Sequence, residues 1–236
     1  MFGTIKSLYV MFNRKTLSLF AATLIAGLVF AGSAQAGLIV LDGTATTVSG
    51  VASERPGANV TNGSGMTGSG ATGTHTGDDP DEGWLSNISG DVWLTVNFGA
   101  TYDVETMYVW NGESGVAVSG PEEGYSRGVA TADIYYATDS DAPDGDFTDP
   151  KWTLLLADQA FAARANNTLA YTPTDAFELN VTARVIGIDI KSNHGNAVFP
   201  TLGSINELQF YAVPEPGSLA LLGTAVLGLL CLRRRK

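Results

Sequence analysis

Between residues 91 and 212, apolar and polar residues alternate in several short runs, and this pattern predicts β-strands. Residues 92–98 place Val, Leu, Val and Phe at every second position, so one face of the extended segment is apolar. Residues 184–190 place three isoleucines on one face in the same way. Because no helical period of 3.6 residues is sustained here, we expect strands and no long helix.

The remaining apolar runs have the length of short strands and are separated by Gly, Pro and Asp turns. The predicted strands are residues 92–98, 104–110, 129–137, 152–156, 184–190 and 205–211. Short strands of this kind favour an all-β fold, an antiparallel β-sandwich. Residues 37–83 are rich in Gly, Ser and Thr and are predicted to be a Gly-rich loop or linker, with a short strand around 38–41.

The N-terminal 36 residues have the pattern of a secretory signal peptide. Basic residues precede an apolar stretch at 17–30, and Ala34-Gln35-Ala36 matches an A-x-A cleavage site. We therefore expect signal peptidase to remove residues 1–36 and the mature chain to be exported. Met11 is an alternative start, since the segment from Met11 onward keeps every feature of a signal peptide.

The C-terminal end adds a proline-rich joint, an apolar segment and a basic tail. Pro214-Glu215-Pro216, within residues 213–217, predicts an extended joint, because proline restricts its own φ and the residue before it. Residues 218–232 predict a short transmembrane helix, and the basic residues 233–236 should remain on the cytoplasmic side. This order places the body of the chain outside the cytoplasm, anchored in the inner membrane before any processing.

Together, the Pro-Glu-Pro tripeptide, the short apolar segment and the arginine-rich end resemble the PEP-CTERM sorting signal of Gram-negative bacteria. The resemblance implies that an exosortase, a membrane cysteine peptidase, recognises Pro214, Glu215 and Pro216. It also implies cleavage near the tripeptide, with release or transfer to the cell surface or extracellular matrix. A plain tail anchor with an incidental Pro-Glu-Pro is the alternative.

The body at residues 37–212 is strongly acidic, with six Lys and Arg against 23 Asp and Glu, a net charge of −17. Such a surface repels nucleic acid and anionic lipid and favours cations or neutral partners such as sugars. Solubility alone explains the same charge equally well. Cys231, the single cysteine, lies in the predicted transmembrane helix, so the exported body contains no disulfide.

The body also carries a series of short blocks whose order resembles the discoidin, or coagulation factor V/VIII type C, domain. The blocks are residues 84–86, 92–99, 104–111, 127–139, 152, 183–186 and 206–211. The resemblance implies an eight-stranded jelly roll with a galactose-binding-like fold over residues 50–212. Asn62-Gly63 replaces the family's early Asp-Gly, and the stretch before Trp84 is long.

In many members of that family, a structural calcium ion is held by loop carbonyl groups, an early acidic or amide side chain, and a Glu of the last strand. Carried over, the resemblance implies Asn62 and Glu207 as ligands, with carbonyl oxygens near Val60 and Ser64 and Glu82 as a helper. Calcium takes six to eight oxygen ligands, which this loop can provide. The alternative for Glu207 is a solvated carboxylate on an edge strand.

For a glycan ligand, aromatic rings and polar side chains in turns are the natural contacts. Trp110 and Asn111 end a predicted strand beside a Gly-rich loop and are predicted to bind the ligand, with His194 in a polar turn as a third candidate. Trp84 and Trp152 match core positions of the resembled family and are expected to be buried. Both histidines of the chain are expected to be exposed loop residues, and neither spacing indicates zinc.

No G-x-S-x-G, H-E-x-x-H or Walker motif occurs, and the body has no cysteine nucleophile, so we expect no enzyme. The predicted function is an exported carbohydrate-binding or adhesion-type module, sorted by exosortase and associated with exopolysaccharide or a biofilm matrix. The alternatives are a structural matrix protein without a specific ligand and a jelly-roll glycosidase or lyase. No nucleic-acid partner is expected.

Overall fold

The computed structural model of the chain describes residues 36–51, 55–76, 82–86, 91–112, 127–164, 170–194 and 203–213. These residues belong to one compact unit, Ala36–Pro214. The predicted signal peptide, sorting motif and transmembrane helix lie outside the described residues, except for Ala36 and Val213 at their borders. Within the described ranges, no helix is both long and apolar enough to cross a membrane.

The described residues form ten β-strands and two short 3-10 helices. The strands are β1 (Gly37–Leu38), β2 (Thr46–Val48), β3 (Met66–Thr67), β4 (Thr74–His75), β5 (Trp84–Leu85), β6 (Val92–Asn111), β7 (Val129–Ala137), β8 (Thr153–Ala160), β9 (Asp175–Asn193) and β10 (Ser204–Ala212). The 3-10 helices are Gly57–Val60 and Gly70–Thr72. Every run predicted as a strand from residue 92 onward therefore forms one.

The main sheet has the strand order β1-β10-β6-β9-β7-β8, with β2 also paired to β6 and β5 also paired to β10. β3 and β4 form a separate two-stranded sheet. All these strand pairs are antiparallel. Because each alternating strand has an apolar face, the sheet folds over on itself to bury that face. The predicted all-β, antiparallel sandwich is confirmed.

β6 and β9 are long because each strand passes through both layers of the sandwich. Their ladder pairs Asn97 with Val185, breaks, and resumes where Tyr102 pairs with Ala183. Gly99 lies in this break with a φ of 75°, a left-handed conformation that glycine adopts without strain. The strands predicted at 92–98 and 104–110 are therefore two halves of one bent strand.

The apolar faces of the two layers meet in one core. Its fully buried side chains come from both halves of the bent strands and from β10, and include Leu94, Val96, Met107, Val109, Ile186, Ile188 and Phe210. Each such side chain contributes about 1.5–3 kcal/mol by leaving water. Trp84 is fully buried in the same core, and Trp152 is buried in a second cluster with Val185. Both tryptophan predictions are confirmed.

The described residues of 37–76 pack against the sheet, so the prediction of a linker is wrong. Val60 is fully buried, and a Cβ added to Gly57 would lie 2.5 Å from a valine side chain of β2. His75 is fully buried too, because β4 pairs with β3 on one side and exchanges backbone hydrogen bonds of 2.9 and 3.1 Å with Tyr171 on the other. Burial lowers the pKa of His75 to about 4. The expectation that this histidine is exposed is wrong.

Candidate functional site

Asn111, predicted to bind a ligand, is a fully buried residue that ties three segments together. Its Nδ2 donates to the carbonyl oxygens of Val129, at 2.7 Å, and Ala162, at 2.9 Å. Its Oδ1 accepts from the N–H groups of Gly112 and Val129, both at 2.9 Å. An amide side chain has two donor hydrogens and two acceptor positions, so this one is fully used inside the protein. The ligand-binding prediction for Asn111 is corrected to a structural role.

Trp110 is also fully buried, so neither face of its indole ring is available to a sugar. The prediction assumed that the strand ended at Trp110 beside solvent. Instead, β6 continues to Asn111 and pairs with β10, where Trp110 lies opposite Glu207. The prediction that Trp110 stacks on a ligand is therefore wrong, because the side chain is buried inside the domain.

His194 is exposed, as predicted, directly after the end of β9. Its backbone N–H donates to the Gly128 carbonyl, and its Nε2 lies 2.9 Å from the Phe161 carbonyl oxygen. The carboxylate of Asp175, half-buried beside this histidine, accepts from the N–H of Ala162 at 3.0 Å. Desolvation raises the pKa of Asp175, while the nearby His194 acts in the opposite direction. The structure thus brings His194 to the same end of the sandwich as Asn111.

Glu207, the predicted calcium ligand of the last strand, is 2% exposed. Because this side chain is buried, the alternative of a solvated carboxylate on an edge strand is wrong. The carboxyl group accepts hydrogen bonds from the Gly63 backbone and the Gln209 side chain. Its Oε2 is buried and has no hydrogen-bond partner among the described residues. Desolvation raises the pKa of Glu207 to about 9.

Asn62 and Glu207 line one small cavity of about 130 Å³, so the two predicted ligands lie together. Asn62 Oδ1 accepts from the Ser64 N–H at 2.8 Å, which holds the loop in a turn. Glu82 instead accepts from the Thr76 hydroxyl. The described residues contain no group of three or more His, Cys, Asp or Glu side chains close enough to hold a metal ion. A carboxylate, an amide and carbonyl oxygens nevertheless form a hard oxygen set that suits calcium, and the orphaned Glu207 Oε2 is an atom that a cation would satisfy.

An open groove of about 580 Å³, which the sequence did not predict, lies where β6 and β9 bend. Polar side chains line one part of it, namely Asp42, Thr44, Thr47, Asn97 and Arg184. Apolar side chains line the rest, namely Val40, Leu41, Ala45 and Phe98. The bend positions these residues: Asn97 and Val185 are the last pair before the ladder breaks, and Arg184 follows directly in the break.

The polar side chains of this groove have bonding capacity that the protein does not use. Asp42 Oδ1 accepts from Thr44 N, at 3.0 Å, and Thr44 Oγ1, at 2.5 Å, and these bonds hold the pKa of Asp42 below its ordinary value. Asn97 Oδ1 accepts from Gly99 N at 2.9 Å, whereas no described residue bonds to its Nδ2. Arg184 is half-buried, and its Nε has no partner among the described residues. The groove thus offers a carboxylate, an amide donor and a guanidinium to a ligand.

Two signals in the sequence mark this groove in retrospect. Asp42-Gly43-Thr44 has the composition of a tight polar turn, and Gly43 has a φ of 83°. Arg184 is one of only six cations in residues 37–212 and lies between the buried Ala183 and Val185. Neither signal shows that the turn and the arginine meet, because 142 positions separate residues 42 and 184.

Fold and groove together define an all-β sandwich with an open groove at its bend. The C-terminal sequence matches the PEP-CTERM protein-sorting motif over residues 212–236, which confirms the motif predicted there. The chain therefore carries a PEP-CTERM sorting motif, and this motif implies export with a membrane-anchored sorting intermediate. No curated protein matches the chain.

Several solved structures are similar to the described domain. A family 32 carbohydrate-binding module from C. perfringens NanJ, in complex with galactose, is 16% identical, with a TM-score of 0.46 over 75% of this chain and 99% of that chain. A Streptococcus pneumoniae fucose-binding module is 13% identical, with a TM-score of 0.44 over 75% and 99%. Chitosan-binding module 1 of a chitosanase/glucanase from Paenibacillus sp. IK-5 is 15% identical, with a TM-score of 0.44 over 75% and 99%. At these TM-scores the likeness decides neither the ligand nor the site.

Proposed function

We propose that the exported domain is a carbohydrate-binding module whose ligand lies in the groove at the bend of β6 and β9. The observation that carries this proposal is the unused bonding capacity of the groove. Asp42, Asn97 and Arg184 provide an acceptor and two donors, and Val40 and Leu41 provide apolar surface beside them. A sugar ring needs this combination, because its hydroxyl groups require hydrogen bonds while its C–H faces pack on apolar groups.

The geometry supports binding and not catalysis. Among the described residues, the pair that most resembles a catalytic dyad is Asp175, the first residue of β9, and His194, which follows its last residue. Its groups are occupied within the protein, since His194 Nε2 faces the Phe161 carbonyl and both Asp175 oxygens accept from Ala162 N. We therefore assign the domain no reaction step.

The sorting motif supports a location for this binding. In our proposal, signal peptidase removes residues 1–36, an exosortase recognises Pro214-Glu215-Pro216, and the domain reaches the cell surface or the extracellular matrix. There it would bind exopolysaccharide. The net charge of −17 keeps such a domain soluble and away from anionic membrane surfaces.

Binding of the purified chain to a glycan array tests the proposal, followed by titration of the strongest ligand. We expect Asp42→Asn to weaken that binding about 3- to 10-fold, since a hydrogen bond to a charged group weakens to a neutral one. The matched control is Asp141→Asn, which removes the same charge from an exposed aspartate outside the groove. We expect this control to bind like the unmodified chain.

An absence of binding to every envelope and matrix sugar, with calcium present, would overturn the proposal. If deletion of the gene then still altered cell aggregation, the structural matrix role without a specific ligand would replace it. Equal losses from Asp42→Asn and Asp141→Asn would show that net charge, and not the groove, controls binding.

We also propose that Glu207 and Asn62 hold a structural calcium ion in their shared cavity. The support is the buried Glu207 Oε2, which has no partner among the described residues, together with a carboxylate whose burial opposes ionisation. When bound, a divalent cation would keep Glu207 ionised. The role of Asn62 is to close the Ser64 turn and to supply an amide oxygen in the same cavity.

A further inference from the structure

We propose that the groove is selective for acidic glycans, with Arg184 binding the carboxylate of a uronic acid residue. This inference rests on the proposed carbohydrate-binding function and narrows it to one class of sugar. It begins from the distribution of positive charge in a domain that has very little of it.

Five of the six cations in residues 37–212 interact with protein groups. Lys151 forms an ion pair with Asp139 at 3.7 Å, and Lys191 pairs with Asp133 at 3.3 Å and with Asp189. Arg55, Arg127 and Arg164 each interact within the domain, the last with its guanidinium 4.3 Å from the centre of the Tyr171 ring. The remaining cation is Arg184.

Arg184 has no hydrogen bond and no ion pair within 4.0 Å among the described residues. Arg184 helps to lower the pKa of Asp139, but the carboxylate of Asp139 forms its ion pair with Lys151. With 23 acidic residues in the domain, an arginine without a carboxylate partner is unexpected.

Asp42, the one acid among the described residues lining the groove, does not fill this role. Its carboxylate is held by the backbone and hydroxyl of Thr44 and forms no ion pair with Arg184. The guanidinium therefore faces a groove of about 580 Å³ without a fixed anion. An incoming carboxylate matches the planar fork of arginine, since two parallel N–H···O bonds can form at once.

The other groups of the groove fit the rest of such a sugar. Asn97 Nδ2 has unused donors, and the Asp42 carboxylate is an acceptor for a hydroxyl group. Asp42 also repels a second anion, so the groove suits one carboxylate placed at Arg184 and hydroxyl groups elsewhere. That pattern describes a hexuronate and excludes a densely sulfated or phosphorylated sugar.

The test compares a galactose oligomer that carries a single galacturonate residue with a neutral galactose oligomer of equal length, both titrated into the purified full chain with calcium present. We expect the acidic oligomer to bind at least about tenfold more tightly than the neutral one. Arg184→Gln should weaken the acidic oligomer about 10- to 100-fold and leave the neutral one within about twofold. Lys191→Gln, which removes one cation outside the groove, should change neither affinity.

Five outcomes would overturn this inference. Equal affinity for the two oligomers would refute acidic selectivity while leaving the sugar-binding proposal intact. Equal losses for both oligomers in Arg184→Gln would make Arg184 a general sugar contact, and equal effects of Lys191→Gln would make the preference one of net charge. Binding to neither oligomer would refute both proposals. If circular dichroism shows that Arg184→Gln does not fold, Arg184→Lys replaces it. An unchanged ratio of the affinities for the acidic and the neutral oligomer in that variant would also refute the two-bond contact between Arg184 and the carboxylate.

Discussion

Asn111 and Asn97 are the same residue type on the same strand, β6, yet they belong to regions with opposite properties. Asn111 is fully buried, and all its hydrogen-bonding positions are occupied by the backbone of Gly112, Val129 and Ala162. The half-buried side chain of Asn97 uses only its oxygen, and among the described residues this side chain bonds only to Gly99. A polar side chain is therefore available to a ligand where the fold leaves its partners missing, and a position at the end of a strand does not decide this.

The largest difference between these two regions should appear in stability. We expect Asn111→Ala to cost about 4 kcal/mol, because four buried backbone groups would lose their partner. Asn97→Ala should cost about 1 kcal/mol, because one exposed N–H loses its acceptor. Thermal unfolding followed by circular dichroism measures both, and about 2–4 °C per kcal/mol is expected for a domain of this size. Equal melting temperatures for the two variants would contradict the contrast.

Glu207 is a buried carboxyl group whose Oε2 has no hydrogen-bond partner among the described residues, and its contribution to stability should depend on pH. Burial raises the pKa of Glu207 from 4.5 to about 9, so the folded chain retains a proton there that the unfolded chain releases. In calcium-free buffer, the proton retained by Glu207 stabilises the folded chain. This contribution is fully present below pH 4.5 and is lost as the pH rises to about 9. We expect a loss on the order of 3 kcal/mol across this window.

Urea unfolding at about pH 5 and about pH 8, with and without calcium, measures this effect. Calcium should restore stability at the higher pH, because a bound cation compensates for the ionised carboxylate. Glu207→Gln serves as the control, since it keeps the shape and removes the charge. It should lose the fall in stability towards high pH, retain the pH response of other groups such as His75, and not respond to calcium. A calcium response that persists in Glu207→Gln would remove Glu207 from the proposed metal site.

The sequence predicted the sheet well because alternation is a local property. Residues 92–98 and 184–190 show period two directly, and both lie in strands. His75 could not be identified as buried, because its cover comes from Tyr171, 96 positions later, within a segment of Gly and Thr that resembles a loop. Likewise, β10 is buried on both faces, so the alternation of apolar and polar residues does not show that Glu207 is buried.

The candidate site was harder to predict than the fold for the same physical reason. The predicted calcium ligands Asn62 and Glu207 do line one cavity. This pair could be predicted because the family resemblance, unlike the residue pattern, carries information about distant positions. The predicted sugar contacts Trp110 and Asn111 are buried, because the sequence does not show which strands cover them. Arg184 went unnoticed, since the absence of a partner becomes visible only in three dimensions.

Substitutions of Gly99 test whether the bend of β6 requires a left-handed backbone conformation. No atom lies within 4 Å of an added Cβ, but φ is 75°, so Gly99→Ala should cost about 1 kcal/mol through backbone strain and not through a clash. Gly99→Asn should cost less, because asparagine tolerates the left-handed conformation better. Melting temperatures give the order Gly, Asn, Ala. The reverse order for Asn and Ala would argue against conformational strain at this bend.

Neighbouring threonines of β2 allow the sharpest separation of stability from binding, with the smallest effect on the fold. The half-buried Thr46 Oγ1 lies 2.7 Å from the Thr61 hydroxyl, whereas Thr47 is exposed in the groove and no described residue bonds to its hydroxyl. Thr46→Val should therefore cost about 1 kcal/mol and leave glycan affinity unchanged. Thr47→Val should change stability by less than about 0.5 kcal/mol and weaken glycan binding about 3- to 10-fold. Paired melting and titration experiments separate the two effects, and a Thr47→Val chain that binds the glycan normally would place the ligand away from this wall of the groove.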